Sequence, residues 1–162
     1  MNEKRVVRNI EIPGINGKKV ICDVYGVKPI NLELGLRPAV IFLHGGGFVA
    51  GDKDQFLGMA ALLALEEDIL CITVQYRLAT EATCPSQIID CYSVCNWLLH
   101  KQKTFSVNPE LIFLAGGSPG VRCTTEKITT DTMINTGIME SNRPTMNFLI
   151  LSSPFLLSRK NK

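Results

Sequence analysis

The sequence contains no long apolar run, and it has only two histidines, His44 and His100. Because no apolar stretch approaches the roughly 18 residues that a membrane-spanning helix requires, we expect no membrane span. The charged opening Met1–Arg5 is not followed by the apolar segment of a secretory signal. The sequence therefore predicts a cytoplasmic protein whose six cysteines are kept reduced.

A strong charge of either sign is also missing, because 17 lysines and arginines nearly balance 15 aspartates and glutamates. The net charge of +2 is too small to indicate a nucleic-acid partner, and no aromatic residues are interleaved with the small basic clusters at the chain ends. Since 46% of the residues are hydrophobic, the chain can bury a core. Its length of 162 residues predicts one domain.

The spacing of metal ligands is absent as well. Cys91, Cys95 and His100 lie close together in the sequence, but their spacing matches no zinc pattern. Ile88, Cys91, Cys95 and Leu98 instead form an apolar stripe with helical spacing. We therefore expect these two thiols to pack in the core, and we expect no metal site.

Apolar periodicity predicts the order of strands and helices. Two alternating runs joined by a turn predict an N-terminal β-hairpin, and continuous apolar runs predict strands that are buried on both faces. The predicted strands are 6–12, 19–25, 38–43, 69–74, 111–115 and 147–151, and the predicted helices are 55–67, 86–103 with Ser86 as N-cap, and one within 121–138. This order predicts an α/β fold with a mostly parallel sheet, an N-terminal antiparallel hairpin and flanking helices.

One predicted strand leads directly into a Gly-x-Ser-x-Gly pattern formed by Gly116, Ser118 and Gly120. A strand, this pattern and then a helix are typical of a nucleophile elbow, a tight turn that lifts a serine hydroxyl clear of the backbone. Ser118 is therefore the candidate nucleophile. A small-residue turn between two elements would produce the same pattern, so the interpretation depends on its context.

A second motif, His44-Gly45-Gly46-Gly47, follows the strand 38–43. Consecutive glycines let the backbone approach a ligand, and a loop of this type forms part of the oxyanion hole in lipases and esterases. A flexible loop or a phosphate-binding loop are alternatives. However, no Gly-Lys-Ser/Thr follows, and the order of the glycines does not fit a dinucleotide site. The two motifs together favour ester hydrolysis.

These motifs and the residues between them resemble the hormone-sensitive-lipase-like branch of the α/β-hydrolases, which includes arylacetamide deacetylases and many microbial carboxylesterases. The matching residues, within about 10–157, are His44-Gly45-Gly46-Gly47-Phe48 with Gly51, Tyr76-Arg77-Leu78-Ala79 with Glu81, Pro85, Asp90, Trp97-Leu98, and Gly116, Ser118 and Gly120. The resemblance implies a cofactor-free hydrolase of small acyl esters or amides with Ser118 as nucleophile. It also implies oxyanion-hole amides at Gly46 and Gly47 and a structural role for His44.

Three departures from the family pattern bear on activity. The family's acid and catalytic histidine follow the last strand seen here, whereas both histidines of this chain precede Ser118. Pro119 follows the serine and has no N–H to donate to an oxyanion. Gly117 stands where the family has an acidic residue, and Val121 stands where it has a glycine.

The departures predict a single incomplete α/β-hydrolase domain, residues 1–162, that is C-terminally truncated and inactive on its own. A non-catalytic ligand-binding protein on the same fold, or a truncated gene product without independent function, are the alternatives. We expect the hydroxyl of Ser118 to face the loop 44–47, because ligands bind at the carboxyl ends of parallel strands. We also expect strand 147–151 to form an exposed sheet edge that promotes self-association.

Overall fold

The computed structural model describes residues 6–15, 17–28, 35–116 and, for the backbone alone, 147–150. The elements are β1 (Val6–Pro13), β2 (Lys19–Tyr25), β3 (Arg37–Leu43), a 3-10 turn (Lys53–Phe56), α1 (Leu57–Glu66), β4 (Leu70–Gln75), α2 (Ser86–His100), α3 (Gln102–Phe105), β5 (Val107–Gly116) and β6 (Asn147–Ile150). The strands form one sheet in the order β1-β2-β4-β3-β5-β6. β1 and β2 pair antiparallel and β2 pairs antiparallel with β4, whereas β4, β3, β5 and β6 run parallel. The predicted mostly parallel sheet with an N-terminal hairpin is therefore confirmed.

Helices cover both faces of the sheet, which explains why the central strands are apolar throughout. On one face, Ile41 and Ile72 pack in a buried cluster with Leu98 of α2. On the other face, Phe42 packs in a second cluster with Ala60 of α1. Because successive side chains of a strand point to opposite faces, β3 and β4 require an apolar residue at nearly every position.

The predicted helix 86–103 is two helices, because the backbone leaves the helical conformation at Lys101, between α2 and α3. α3 ends before Ser106, which is in the left-handed conformation with a φ of 53°. The prediction of Ser86 as N-cap is wrong. Ser86 is the first helical residue, and its N–H already donates to the carbonyl of Thr83 in the preceding turn. Cys91 and Cys95 of α2 are buried in the core, as their helical spacing predicted.

Two further boundaries differ from the prediction. The helix predicted at 55–67 begins as the 3-10 turn, in which the Asp52 carboxylate accepts a hydrogen bond from the N–H of Asp54. β5 begins at Val107 rather than 111, and its pairing with β3 is irregular before Ile112. Pro109 lies in this irregular stretch and has no N–H to donate to a neighbouring strand.

Some predictions fall wholly or partly outside the described residues. The helix within 121–138 and residue 151 of the last strand are among them. β6 is the last strand at one side of the described sheet, and self-association through it stays a prediction.

The described part of the chain contains no helix that is long and apolar enough to cross a membrane. Within the same residues, no group of three or more His, Cys, Asp or Glu side chains could hold a metal ion. The five cysteines in these ranges are free thiols, of which only Cys84 is exposed.

Asp23 of β2 is a fully buried carboxylate that connects three parts of the fold. It accepts hydrogen bonds from the N–H of Asn9 at 2.7 Å, Arg8 Nε at 3.0 Å and Lys53 Nζ at 2.9 Å. Burial by itself raises the pKa of Asp23, but these three hydrogen bonds outweigh it and hold the pKa below its ordinary value. The carboxylate therefore fastens β1 and the 3-10 turn to β2.

We expect Asp23→Asn to reduce the pH dependence of stability. A carboxyl whose pKa is lower in the folded state stabilises the fold above its unfolded pKa of about 4, and this contribution is lost as the pH falls through the folded pKa. At pH 7 the unfolding free energy of the variant should be about 2 kcal/mol below that of the wild type. On acidification from about pH 5 to pH 3, the unfolding free energy of the variant should fall by less than that of the wild type. Urea unfolding across this range measures both effects.

Asp54→Asn is the matched control, because Asp54 contacts the same two cations, Arg8 and Lys53, from an exposed position. Its pH profile should follow that of the wild type closely, since exposed ion pairs contribute little. Parallel profiles for the wild type and Asp23→Asn would contradict the assignment of Asp23.

Candidate active site

The structure brings the two glycine motifs to the same edge of the sheet. β3 ends at Leu43, β5 ends at Gly116, and these two residues are register partners in adjacent parallel strands. The loop 44–47 therefore begins beside the first glycine of the serine motif, at the strand ends where such folds bind ligands. Residues 117–120, which include Ser118 and Gly120, lie outside the described residues. The orientation of the Ser118 hydroxyl toward the loop stays a prediction.

The loop requires glycine for two different reasons. Gly46 has a φ of +116°, and a Cβ at this position would lie 2.0 Å from the carbonyl oxygen of Ala50. This closeness arises because the chain turns back on itself, so that the N–H groups of Val49 and Ala50 both donate to the carbonyl of Gly46. Gly47 has a φ of +62°, but a Cβ there would meet no atom within 4 Å. Glycine is required at 46 by space and conformation, and at 47 by conformation alone.

The backbone N–H groups of the loop differ in their hydrogen bonding. Gly45 is buried, and its N–H donates to Gln55 Oε1 at 2.6 Å. Gly46 and Gly47 are exposed, and among the described residues no acceptor takes the N–H of either one. Two adjacent N–H groups are therefore available to a ligand at this strand end.

An aromatic residue at the end of β4 holds the loop in place. The ring of Tyr76 stacks on the ring of His44 with a centroid separation of 4.0 Å, and its hydroxyl donates to the His44 carbonyl at 2.7 Å. The ring of Phe48 meets Tyr76 edge-on at 5.9 Å. The N–H of Ala79 donates to the Phe48 carbonyl at 2.7 Å. The loop is therefore packed against residues 76–79.

The same segment is fixed to α2 by an ion pair. Asp90 of α2 is buried, and its two carboxylate oxygens accept hydrogen bonds from Arg77 Nη2 at 2.7 Å and Arg77 Nε at 2.9 Å. The backbone N–H of Arg77 also donates to Asp90, at 3.0 Å. Such two-point geometry is typical of strong arginine–carboxylate pairs, and it sets the position of Tyr76 relative to the helix.

The two histidines have different surroundings. Burial lowers the pKa of His44, although the carbonyl of Gly45 and the charge of Asp52 act in the opposite direction. The carbonyl of Gly45 can only accept, so Nδ1, at 2.9 Å, carries the proton. Nε2 of His44 has no hydrogen-bond partner within the described ranges. His100 lies at the end of α2, the helix that runs from the carboxyl end of β4 to the amino end of β5, and its Nδ1 contacts the Asn96 carbonyl.

Gln55 is a residue of this site that no sequence pattern identified. It lies in a stretch predicted as an ordinary helix, and its contact with Gly45 depends on the 3-10 turn folding back to the strand end. Tyr76 was among the residues that matched the family, but no role was predicted for it. An aromatic residue directly after a buried strand was the signal that could have suggested one.

A mostly parallel sheet covered by helices, with a glycine loop beside a strand that leads into the sequence Gly-x-Ser-x-Gly, is the arrangement of the α/β-hydrolase fold. Comparison with known families agrees with this class. A family profile described as alpha/beta hydrolase fold matches residues 40–161, and the chain belongs to this family.

Individual relatives are esterases. The chain is 35% identical over 83 residues to esterase LipI of Mycobacterium tuberculosis, and the match covers 51% of this chain and 26% of LipI. It is 34% identical over 84 residues to an acetyl esterase of Salmonella paratyphi B, with 52% and 26% covered. These relatives are consistent with the hormone-sensitive-lipase-like branch.

The chain also resembles solved structures of esterases. An esterase from Pyrobaculum calidifontis superposes with a TM-score of 0.65 at 30% identity, covering 82% of this chain and 41% of that protein. EstE1, a thermostable carboxylesterase from a metagenomic library, gives a TM-score of 0.64 at 27% identity, with 85% and 45% covered. The chain thus spans about a quarter of the length of the curated relatives it matches and about two fifths of these structures.

Proposed function

We propose that the chain carries the nucleophile and the oxyanion-binding loop of a serine hydrolase that acts on small acyl esters or amides. The observation that supports this most directly is the pair of exposed N–H groups at Gly46 and Gly47, beside the strand that leads into Ser118. Preorganised N–H donors stabilise the charge that develops on a carbonyl oxygen during acyl transfer. The esterase relatives support the same substrate class.

The proposed chemistry follows from these groups. The Oγ of Ser118 attacks the acyl carbon while its proton passes to a base, and the carbonyl oxygen becomes an oxyanion held by Gly46 and Gly47. Collapse of this intermediate breaks the bond to the alcohol or amine, which leaves with the proton that the base had taken, and an acyl-serine remains. Water then gives a proton to the same base and attacks the acyl carbon, which releases the acid and returns the proton to Ser118 Oγ. The proposal requires no cofactor.

We assign His44 a structural role in this scheme. Its Nδ1–H is engaged by the adjacent carbonyl of Gly45, and its ring is stacked on Tyr76, so both contacts hold the loop. Because neither His44 nor His100 occupies the position of a triad base in this fold, we propose that the 162-residue polypeptide alone does not turn over esters. We also propose a cytoplasmic location and a single incomplete α/β-hydrolase domain over 1–162.

The loop itself can be tested without turnover. Butyrate resembles an acid product of the proposed reaction, and its carboxylate oxygens can accept from the N–H groups of Gly46 and Gly47. We expect butyrate to shift the amide resonances of these two glycines in ¹⁵N-glycine-labelled protein, with a dissociation constant of about millimolar or weaker. Gly35 is the control, because it also has a positive φ and open surroundings but precedes β3 at its other end.

Saturable shifts confined to Gly46 and Gly47 support the proposed oxyanion loop. If butyrate and chloride shift all glycine resonances alike, the two N–H groups are not a binding site and the proposal fails. Tight, selective binding of an acyl ligand by a chain without turnover would favour the alternative of a non-catalytic ligand-binding protein.

A further inference from the structure

We propose that Gln55 is a positioning residue for the oxyanion loop, acting through the backbone N–H of Gly45. The purpose assigned to the loop rests on the proposed function. The contact itself does not, because it stands on the geometry of the described residues.

The first part of the argument concerns the peptide group between His44 and Gly45. Its carbonyl accepts from the Tyr76 hydroxyl at 2.7 Å, and its N–H donates to Gln55 Oε1 at 2.6 Å. A peptide group is planar and rigid, so holding its oxygen and its hydrogen fixes the orientation of the whole plane. Because Gly45 is buried, this N–H has no water to replace the glutamine oxygen.

The next peptide group, between Gly45 and Gly46, carries the first proposed oxyanion donor. Its carbonyl is hydrogen-bonded by His44 Nδ1 at 2.9 Å, which leaves the N–H of Gly46 directed away from these contacts. Only the backbone torsions of Gly45 separate this plane from the one that Gln55 holds. Because glycine torsions are poorly restrained by sterics, hydrogen bonds must hold both planes: Gln55 and Tyr76 hold the first, and His44 Nδ1 holds the second. Loss of the Gln55 contact therefore loosens the plane that adjoins the donor.

Gln55 can do this because its own turn is anchored to the sheet. The N–H of Lys53 donates to Gln75 Oε1 of β4 at 2.9 Å, and Lys53 Nζ donates to Asp23 of β2 at 2.9 Å. The ring of Phe56 stacks on Phe42 of β3 at 5.2 Å. Three strands thus hold the turn that supplies the glutamine oxygen.

The test removes the oxygen while keeping the length of the side chain. In Gln55→Met we expect the amide of Gly45 to exchange with solvent about tenfold faster, because its acceptor is lost, and its proton resonance to move upfield. Butyrate binding at Gly46 and Gly47 should weaken severalfold in the same variant. Gln55→Ala also removes the acceptor oxygen and should give the same faster exchange at Gly45. It serves as the second variant if the methionine side chain prevents the protein from folding.

Two further variants separate positioning from general destabilisation. Gln55→Glu keeps an acceptor oxygen and should return the Gly45 amide to its wild-type exchange rate. Gln102→Ala removes a glutamine from α3, at the amino end of β5, and should leave the resonances of the loop unchanged. An unchanged exchange rate at Gly45 in a folded Gln55→Met or Gln55→Ala protein would overturn the assignment of Gln55. Absence of a butyrate response in the wild type would instead overturn the proposed function, and the Gly45 amide would still test Gln55.

Discussion

Gly46→Ala is expected to lower the free energy of unfolding by about 3 kcal/mol or more, whereas Gly47→Ala should lower it by only about 1 kcal/mol. The two glycines are adjacent and exposed, so the change in burial is nearly the same. They differ in the space around them. A Cβ on Gly46 would lie 2.0 Å from the Ala50 carbonyl oxygen at a φ of +116°, whereas a Cβ on Gly47 would meet nothing within 4 Å at a φ of +62°.

The clash at Gly46 cannot be relieved by a side-chain rotation, because the obstructing atom belongs to the backbone. The turn 46–50 must open, and this breaks the hydrogen bonds from Val49 and Ala50 to the Gly46 carbonyl. The φ of Gly47 lies in the left-handed helical region, which alanine can adopt at a cost of about 1 kcal/mol where no neighbouring atom obstructs its Cβ.

Urea unfolding of the two variants measures the difference, and thermal unfolding should show it as well. For a domain of this size each kcal/mol lowers the melting temperature by about 2–4 °C. We therefore expect roughly 6 °C or more for Gly46→Ala and about 2–4 °C for Gly47→Ala. Equal losses in the two variants would contradict the geometry of the loop described here.

The central sheet could be predicted from the sequence because its signal is local. β3 and β4 are buried between two layers, so each reads as a continuous apolar run. The breaks that were missed depend on single backbone conformations. Neither the interruption at Lys101 between α2 and α3 nor the irregular pairing of β5 around Pro109 carries a hydrophobic signature.

In the site, too, the local motifs could be predicted from the sequence, whereas the long-range contacts could not. The glycine loop and the serine motif are short patterns that follow strands, so both could be found from the sequence. The contacts that hold the loop join residues far apart in the chain. Gln55 is 10 residues from Gly45, and Tyr76 is 32 residues from His44. No periodicity or local motif encodes such pairs, because each pair depends on which strands are neighbours in the sheet.

The second large effect concerns catalysis: the 162-residue polypeptide alone is expected not to turn over esters through Ser118. A serine hydroxyl is a weak nucleophile unless a positioned base takes its proton. The sequence has two histidines. The Nδ1 of His44 is bound to the Gly45 carbonyl and its ring is stacked on Tyr76, while His100 ends a helix at the amino side of the parallel strands.

The expected loss is large. In a serine protease, removing the serine or histidine of the triad costs about 10⁶ in kcat. The residual acceleration of roughly 10³–10⁴ over water depends on an intact oxyanion hole. Pro119 has no N–H at the position that normally donates to the oxyanion, and loss of one such donor costs on the order of 10²–10³. The two deficits together leave little catalysis to detect.

The most direct measurement is hydrolysis of a short-chain p-nitrophenyl ester by the purified chain and by Ser118→Ala, with both proteins first shown to be folded. We predict equal rates for the two proteins, no faster than a non-specific protein of similar composition. Turnover by the wild type well above this background, abolished in Ser118→Ala, would contradict the account. It would show that a base reaches Ser118 from a position that neither the sequence nor the described residues reveal.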